Sequence, residues 1–485
     1  MDKPFIAPSA RPLVVDLDGT LIKSDLLLES ANEFICHQPG SALNLLHWAL
    51  GGRLNLKCRL ADAVSIDASV LPYNENVIEW LREEKAAGRT LILATASHTR
   101  LAEAVALHLG LFDEVLSSDD TINLKAHHKR DALLARYGDK GFDYAGDAMA
   151  DLPVWQAANQ AYIVSSSPAL IGQARQVSSV ERIFSDTRPP KYKSLLRAMR
   201  PHQWMKNLLV FMPLLAAHLY GDINRDLLAL LAFLVFGMTA SSVYLLNDLV
   251  DVLDDRHHTR KRHRPFASGD LSLLTGWLVW PLLLLGGGLI AFATLPWRFL
   301  LVLMTYFMLT LAYSFVLKRR SMVDVITLAT LYTLRIIAGA MAVSVSLSFW
   351  LLSFSMFIFL SLAFIKRYSE LRRAREKGDS GMVRGRGYGR EDLEMVSSMG
   401  ITSGYLSVLV LALYIQDSHT ALLYANPKFI WMACPLLLYW ISRAWMLTYR
   451  GLMHDDPIVF AIKDKISWLI GASFVGVFGL ARFVS

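Results

Sequence analysis

Hydrophobic and polar positions divide the chain into two unlike parts near residue 190. Before that point apolar residues come in short runs broken by charge. "RPLVVDLDGTLIKSD", "RTLILATASH" and "DYAGDAMADLPVW" each read as a buried strand that stops at a polar cluster. After about Leu195 the runs become long enough to cross a bilayer core of roughly 30 Å. They lie at about 206–220 (the shortest), 226–246, 272–294, 298–317, 323–344, 348–365, 396–416, 428–448 and 465–484, and predict an all-α polytopic membrane domain of about nine transmembrane helices. The expected domains are therefore 1–190, soluble, and 191–485, in the membrane.

Charge gives these runs a direction. Connections at about 247–271, 318–322, 366–395 and 449–464 carry most of the Lys and Arg, whereas the opposite ones offer little beyond Arg225, Arg298 and Lys428. The asymmetry predicts that the basic connections and the first domain face the cytoplasm of a bacterial-type inner membrane. The net charge of +7 then follows from topology and anionic ligands, with no need for nucleic acid. The opening "MDKPFIAPSARPL" lacks the basic region and apolar core of a secretory signal. Cys36, Cys58 and Cys434 are too few and too scattered for a disulfide framework or a zinc site.

In "RPLVVDLDGT", strand alternation points Asp16 and Asp18 the same way, and Gly19 lets the chain turn at once. Two carboxyl groups at a strand end can share a hard cation and divide the roles of nucleophile and proton carrier. An Asp-Gly pair there can also be only a turn signal. Three later features favour the chemical reading: Thr95 ends the second strand, Lys125 and Lys129 stand before or on a helix in "NLKAHHKRDALLARYG", and Asp147 and Asp151 lie four residues apart after the third strand.

In that order, over about residues 10–185, these segments resemble the four motifs of the haloacid dehalogenase superfamily, in its phosphatase branch. The resemblance implies an α/β Rossmann-like fold with a small helical cap, placed at about Leu26 to Tyr73. It implies Asp16 as the nucleophile, Asp18 as general acid/base and magnesium ligand through its carbonyl, Thr95 as a phosphate ligand, and Asp147 with Asp151 as metal ligands. Lys129 has better spacing ahead of the helix than Lys125 for the phosphate-binding lysine.

A second charge cluster, "YLLNDLVDVLDDRHHTRKRHRPFASGDL", follows an apolar run at residues 244–271. On a helix of about 100° per residue, Asn247, Asp248, Asp251, Asp254 and Asp255 share an arc of roughly 120°. A solvated helix end would explain such a cluster, but so much like charge on one face is unfavourable without a cation. Magnesium bridging the carboxylates to a diphosphate would offset it.

The pattern N-D-x-x-D-x-x-x-D, here Asn247, Asp248, Asp251 and Asp255, resembles the first aspartate-rich motif of the UbiA-type prenyltransferase superfamily, over about residues 195–485. Asp254 lies outside that pattern. Where the superfamily usually carries a second acidic motif, this chain reads "FIKRYSELRRAREKGDSGMVRGRGYGRED". "RPHQWMKNLLVFMPLLA", the acidic segment, "YSFVLKRRSMVDVITLATLYTLRIIAGA" and "KRYSEL" together resemble the polyprenyl-phosphate phosphoribosyltransferase branch.

That resemblance implies phosphoribosyl pyrophosphate as donor and the phosphate of a polyprenyl lipid as acceptor. It implies Asp248 and Asp251 as catalytic groups, magnesium on Asp248, Asp251 and Asp255, and donor contacts from Asn247. Phosphate-binding cations would come from Lys206, Arg262, Arg264, Lys318, Arg335, Lys366 and Arg367. Arg335 and Asp324 lie inside an apolar span, where charge marks function or a structural ion pair. Eleven residues apart, about 16 Å along a helix, they cannot pair with each other. The rest of the basic loop, Arg375 to Arg390, reads as a solvated or headgroup-facing segment, and His257, His258 and His263 as polar loop residues.

The fusion joins the two resemblances. Transfer from phosphoribosyl pyrophosphate leaves a ribose 5-phosphate on the lipid, which a fused phosphatase would remove. The alternatives are an aromatic or quinone prenyltransferase with a phosphatase of other specificity, and a non-catalytic membrane scaffold or transporter.

Overall fold

A computed structural model of the protein describes residues 11–119, 123–185, 188–376, 387–416, 423–453 and 456–484. The chain forms two compact units, residues 1–199 with 244–280, and residues 200–243 with 281–485. Most of the expected loop from Arg375 to Arg390 falls outside the described residues.

In the first unit six parallel strands, β1 (Leu13–Val15), β2 (Leu91–His98), β3 (Glu114–Ser118), β4 (Asp143–Gly146), β5 (Gln160–Val164) and β6 (Ser179–Phe184), stand in the order β3-β2-β1-β4-β5-β6. Parallel strands are covered on both faces, so they need continuous apolar runs. The alternation assigns each face its own core: Leu13, Val15, Leu91 and Leu93 pack on one side with Trp80 and Leu81. Val14, Ile92, Ala94 and Tyr144 pack on the other with Trp155 and Ile163. The strand order reverses at β1, so the crevice at its carboxyl end, where ligands bind in such sheets, opens beside Asp16.

Gly19 is required at that crevice. Its φ is +83°, and a Cβ there would stand 2.2 Å from the Asp147 carboxylate. Three helices, Leu26–His37, Ala42–Leu50 and Arg53–Ala63, follow as the cap. The cap helix Leu26–His37 is bonded to the segment 244–280 of the same unit: Arg256 makes two hydrogen bonds to Glu29, at 3.0 and 2.7 Å. Asn32 donates to the Leu249 carbonyl at 3.0 Å and accepts from Trp277 Nε1 at 2.9 Å.

Among the described residues, eight helices are long and apolar enough to cross a membrane: Ile223–Val250, Leu273–Thr294, Trp297–Phe315, Val323–Ala342, Phe349–Glu376, Arg390–Ile415, Pro427–Tyr449 and Lys465–Phe483. They make this a multi-pass membrane protein. The apolar run at 206–220 is not a ninth. It folds as 3-10 turns over Pro201–Phe211 and a short helix Met212–Ala216.

Side-chain partners within the second unit explain that difference. Trp204 donates to Ser241 at 2.9 Å, Lys206 meets Asp456 at 2.7 Å, and Asn207 accepts from Arg335 at 2.9 Å. The segment lies so close to helix Val323–Ala342 that a Cβ on Gly339 would stand 1.9 Å from the Val210 carbonyl oxygen. That helix has 67% of its apolar window buried, against 17% for Trp297–Phe315, so it forms the centre of its unit.

Gly339→Ala should therefore overpack this contact, at a cost of about 1–3 kcal/mol, and lower the unfolding temperature in detergent. Gly288→Ala, where a Cβ meets nothing within 4 Å, should leave that temperature unchanged or raise it. Equal melting of Gly339→Ala and the parent protein would refute the close approach.

Candidate active sites

At the carboxyl ends of β1 and β4, one oxygen from each of Asp16, Asp147 and Asp151 lies within 4.8 Å of the others. Lys129, 3% exposed, donates to Asp16 at 2.8 Å and to the Tyr144 hydroxyl at 2.9 Å. Lys125 is exposed. Tyr144 in turn donates to Asp151 at 2.8 Å, Asp151 accepts from the backbone of Asp147 and Ala148, and Thr20 donates to Asp147 at 3.1 Å. The nest is preorganised, and its hard oxygens suit magnesium.

Asp18 accepts from the Leu26 amide at 2.8 Å and from the Ser97 hydroxyl at 2.7 Å. Thr95 is fully buried, and its hydroxyl accepts from the Ser97 amide at 3.0 Å. From the cap helix Arg53–Ala63, Lys57 reaches in to donate to the Ala96 carbonyl and, at 3.0 Å, to Asn123. Burial lowers the pKa of Lys57, while Asp18 and Asp25 oppose that change.

Crowded carboxylates resist ionisation. Burial first, then Asp16 and Asp151, pushes Asp147 up to about 8. Burial and Asp16 bring Asp151 to about 6, against the pull of Lys129. Asp18 rises to about 7, by burial and then by Asp25. A cation held among these groups would relieve the repulsion, because it favours their charged forms.

The acidic segment has a different economy of charge. Helix Ile223–Val250 ends before Asp251, yet Asp251 N–H donates to Asn247 and Asp255 N–H to Asp251, so the helical path continues into Val252–His257. Asp248 and Asp255 are buried, Asn247 and Asp251 half-buried, and Asp254 exposed. Arg264 bridges Asp248 at 3.0 Å and Asp255 at 2.6 Å. Asp255 Oδ1 is buried with no hydrogen bond, and the Lys261 ammonium stands 3.7 Å from it. Burial raises the Asp255 pKa although Arg264 and Lys261 oppose it. An oxygen in that state fits a cation ligand.

In the second unit, Asp456 collects two of the expected phosphate-binding lysines, Lys206 at 2.7 Å and Lys366 at 3.7 Å. Arg335 and Arg367 are taken up differently. Arg335 donates to Asn207, the Leu331 carbonyl and Tyr306, and stacks on Tyr306 and Phe236. Arg367, 1% exposed, pairs with Asp324 at 2.7 Å and with Glu370, while Tyr388 donates to the other Asp324 oxygen at 2.7 Å. Lys318 is half-buried in the turn Leu317–Arg319, and Arg262 is exposed.

The UbiA prenyltransferase family model matches residues 207–463, more than half of the chain. The chain belongs to the UbiA prenyltransferase family. Residues 13–156 match the haloacid dehalogenase-like hydrolase model. A protein of Sinorhizobium fredii, uncharacterized protein y4nM, is 38% identical over 97% of this chain and 91% of its own length. Nodulation protein NoeC of Azorhizobium caulinodans is 38% identical over 60% of this chain and 92% of its own. Decaprenyl-phosphate phosphoribosyltransferase of Mycolicibacterium smegmatis is 30% identical over 61% of this chain and 95% of its own.

In this UbiA-family chain, then, the structure gathers Asp16, Asp18, Thr95, Lys129, Asp147 and Asp151 around one crevice, and Asp248, Asp255 and Arg264 around one segment. Ser97, Tyr144 and Lys57 join the crevice, and in the second unit Asp456 holds Lys206 and Lys366, none of them singled out in the sequence. The pair in "HDDP", between two spans, was the available signal for Asp456.

Aspartate pKa values raised above the unfolded 3.8 mean that the folded state holds more protons than the unfolded one between about pH 4 and 8. Without magnesium, this nest's contribution to stability should fall as pH rises through that window. The gain in unfolding temperature from magnesium should be larger at pH 8 than at pH 5.5, and Asp147→Asn should raise the metal-free unfolding temperature at pH 8. Thermal melts of the full chain with EDTA or magnesium check both, and a magnesium gain that shrinks toward pH 8 would contradict the charge argument.

Proposed function

We propose that the chain transfers 5-phosphoribose from phosphoribosyl pyrophosphate to a polyprenyl phosphate, and that its N-terminal domain then removes the 5-phosphate to leave polyprenyl-phosphoryl-ribose. The observation that carries this reading is the likeness to a decaprenyl-phosphate phosphoribosyltransferase over nearly that protein's whole length, in a chain that also carries the Asp16 nest. The domains are read as 1–190 and 191–485, with both reactions on the cytoplasmic side of an inner membrane, as the distribution of Lys and Arg supports.

In the transfer, the bond from ribose C1 to the diphosphate breaks and a lipid phosphate oxygen forms the new bond to C1. Asp248, Asp251 and Asp255, with Asn247, would hold magnesium and the diphosphate, and the bound metal would supply charge stabilisation for the departing pyrophosphate. Lys206, Lys318, Lys366, Arg262 and Arg264 bind phosphate oxygens. Asp456 keeps Lys206 and Lys366 in place. Arg335, bonded to Asn207 and Tyr306, and Arg367, paired with Asp324, complete the set of cations read as substrate contacts.

In the second step Asp16 attacks the 5-phosphorus and the bond to the ribose oxygen breaks. Asp18 gives its proton to that oxygen, then takes one from the water that hydrolyses the aspartyl-phosphate. A carboxyl pushed up to about 7 is suited to both transfers near neutral pH. Lys129 and Thr95 hold the phosphoryl oxygens, and Asp147 and Asp151 would hold magnesium.

Purified protein given magnesium, polyprenyl phosphate and ribose-labelled phosphoribosyl pyrophosphate should yield labelled lipid, and Asp248→Ala should reduce the rate by about a hundredfold or more. With Asp16→Asn the labelled lipid should keep its 5-phosphate. Label-free lipid from folded protein, together with turnover of a prenyl diphosphate and an aromatic acceptor, would replace this reading with the aromatic prenyltransferase one.

A further inference from the structure

The cap helix Ala42–Leu50 buries none of its residues fully, and it exposes Leu43 to 75%, Leu46 to 65% and Leu50 to 88%. At about 100° per residue these leucines share an arc of roughly 60°, and Trp48 lies roughly opposite. Trp48 packs on Phe34 of helix Leu26–His37, with ring centroids 5.0 Å apart, so the leucine stripe faces away from the rest of the cap. Single exposed leucines are ordinary, but a stripe covering one helix face marks a contact surface.

What covers the stripe follows from where the cap is fastened. Two residues before Phe34, Asn32 bonds the Leu249 carbonyl, one residue from the end of the span Ile223–Val250. It also accepts from Trp277, in the second turn of the span Leu273–Thr294, and indole rings at span ends lie at headgroup depth. The cap helix Leu26–His37 is thus bonded to the ends of two helices long and apolar enough to cross a bilayer. Arg53, exposed just beyond the stripe, is placed for lipid phosphate.

We infer that the helix Ala42–Leu50 is an interfacial membrane anchor: Leu43, Leu46 and Leu50 enter the headgroup and acyl boundary of the bilayer that holds the spans. The occupant is the lipid surface. The anchor stands on the fold alone. Its use, to keep the Asp16 crevice at the depth of a lipid-linked phosphate, rests on the function proposed above.

An environment-sensitive fluorescent amino acid replacing Leu46 in the full chain, reconstituted in vesicles, should be quenched by bromine-labelled phospholipids. The same probe replacing the exposed Glu83 of helix Glu75–Ala86 should not. The triple variant Leu43→Ser, Leu46→Ser, Leu50→Ser should hydrolyse soluble p-nitrophenyl phosphate as the parent does. Its KM for a vesicle-borne lipid phosphomonoester should rise about fivefold or more with kcat unchanged, as expected when apolar contact with the bilayer is lost. Equal quenching at both positions, or a Leu46 signal that changes with protein concentration and not with brominated lipid, overturns the anchor; the second result assigns the stripe to another copy of the chain. Quenching at Leu46 with no turnover of lipid phosphates keeps the anchor and removes the proposed substrate.

Discussion

The ion pair between Glu29 and Arg256 is the contact on which the first unit depends. Both residues are almost wholly buried, at 5% and 8% exposure, and a buried guanidinium is tolerable only when its donors are met by fixed acceptors. Glu29 meets two of them and the Ala267 carbonyl a third. Removing one partner from such a pair costs about 3–5 kcal/mol. The helix that carries Glu29 begins at Leu26, whose amide is bonded to Asp18, so one short rod touches both the crevice and the acidic segment.

The carboxylates of this chain fall into opposite electrostatic regimes. In the Asp16 nest burial and mutual repulsion raise pKa values, which leaves the group wanting a cation. At Asp456 burial pushes upward too, but Lys206 and Lys366 outweigh it and hold the carboxyl below its usual range. There the carboxylate holds two ammonium groups close together. The difference lies in the neighbours, since both sites are withdrawn from water.

How much of this was legible in the sequence follows from the range of the interactions. Strands β1, β2 and β4 and eight of the spans are written in local apolar runs, the cap followed from the family resemblance, and β3, β5 and β6 were not read from the sequence. Asp254, outside the motif spacing, is also the exposed member of its cluster. The run at 206–220 misled because its apolar residues pack on Gly339 while Lys206 and Asn207 find partners far along the chain. No local period records such partners. Arg335 and Asp324 were correctly denied each other, but Asn207, Tyr306, Tyr388 and Arg367, which satisfy them, lie on other segments.

The first unit is also discontinuous, and this has a consequence in time. Glu29 and Arg256 are 227 residues apart, and Asn32 lies 217 residues from Leu249 and 245 from Trp277. At synthesis rates of roughly 5–20 residues per second, the buried surface of the cap helix stays open for about 10–45 s after it leaves the ribosome. The first unit therefore completes its buried contacts only after the helix Ile223–Val250 and the acidic segment have been made. The last buried contacts of the first unit thus wait on the synthesis of residues 249–277.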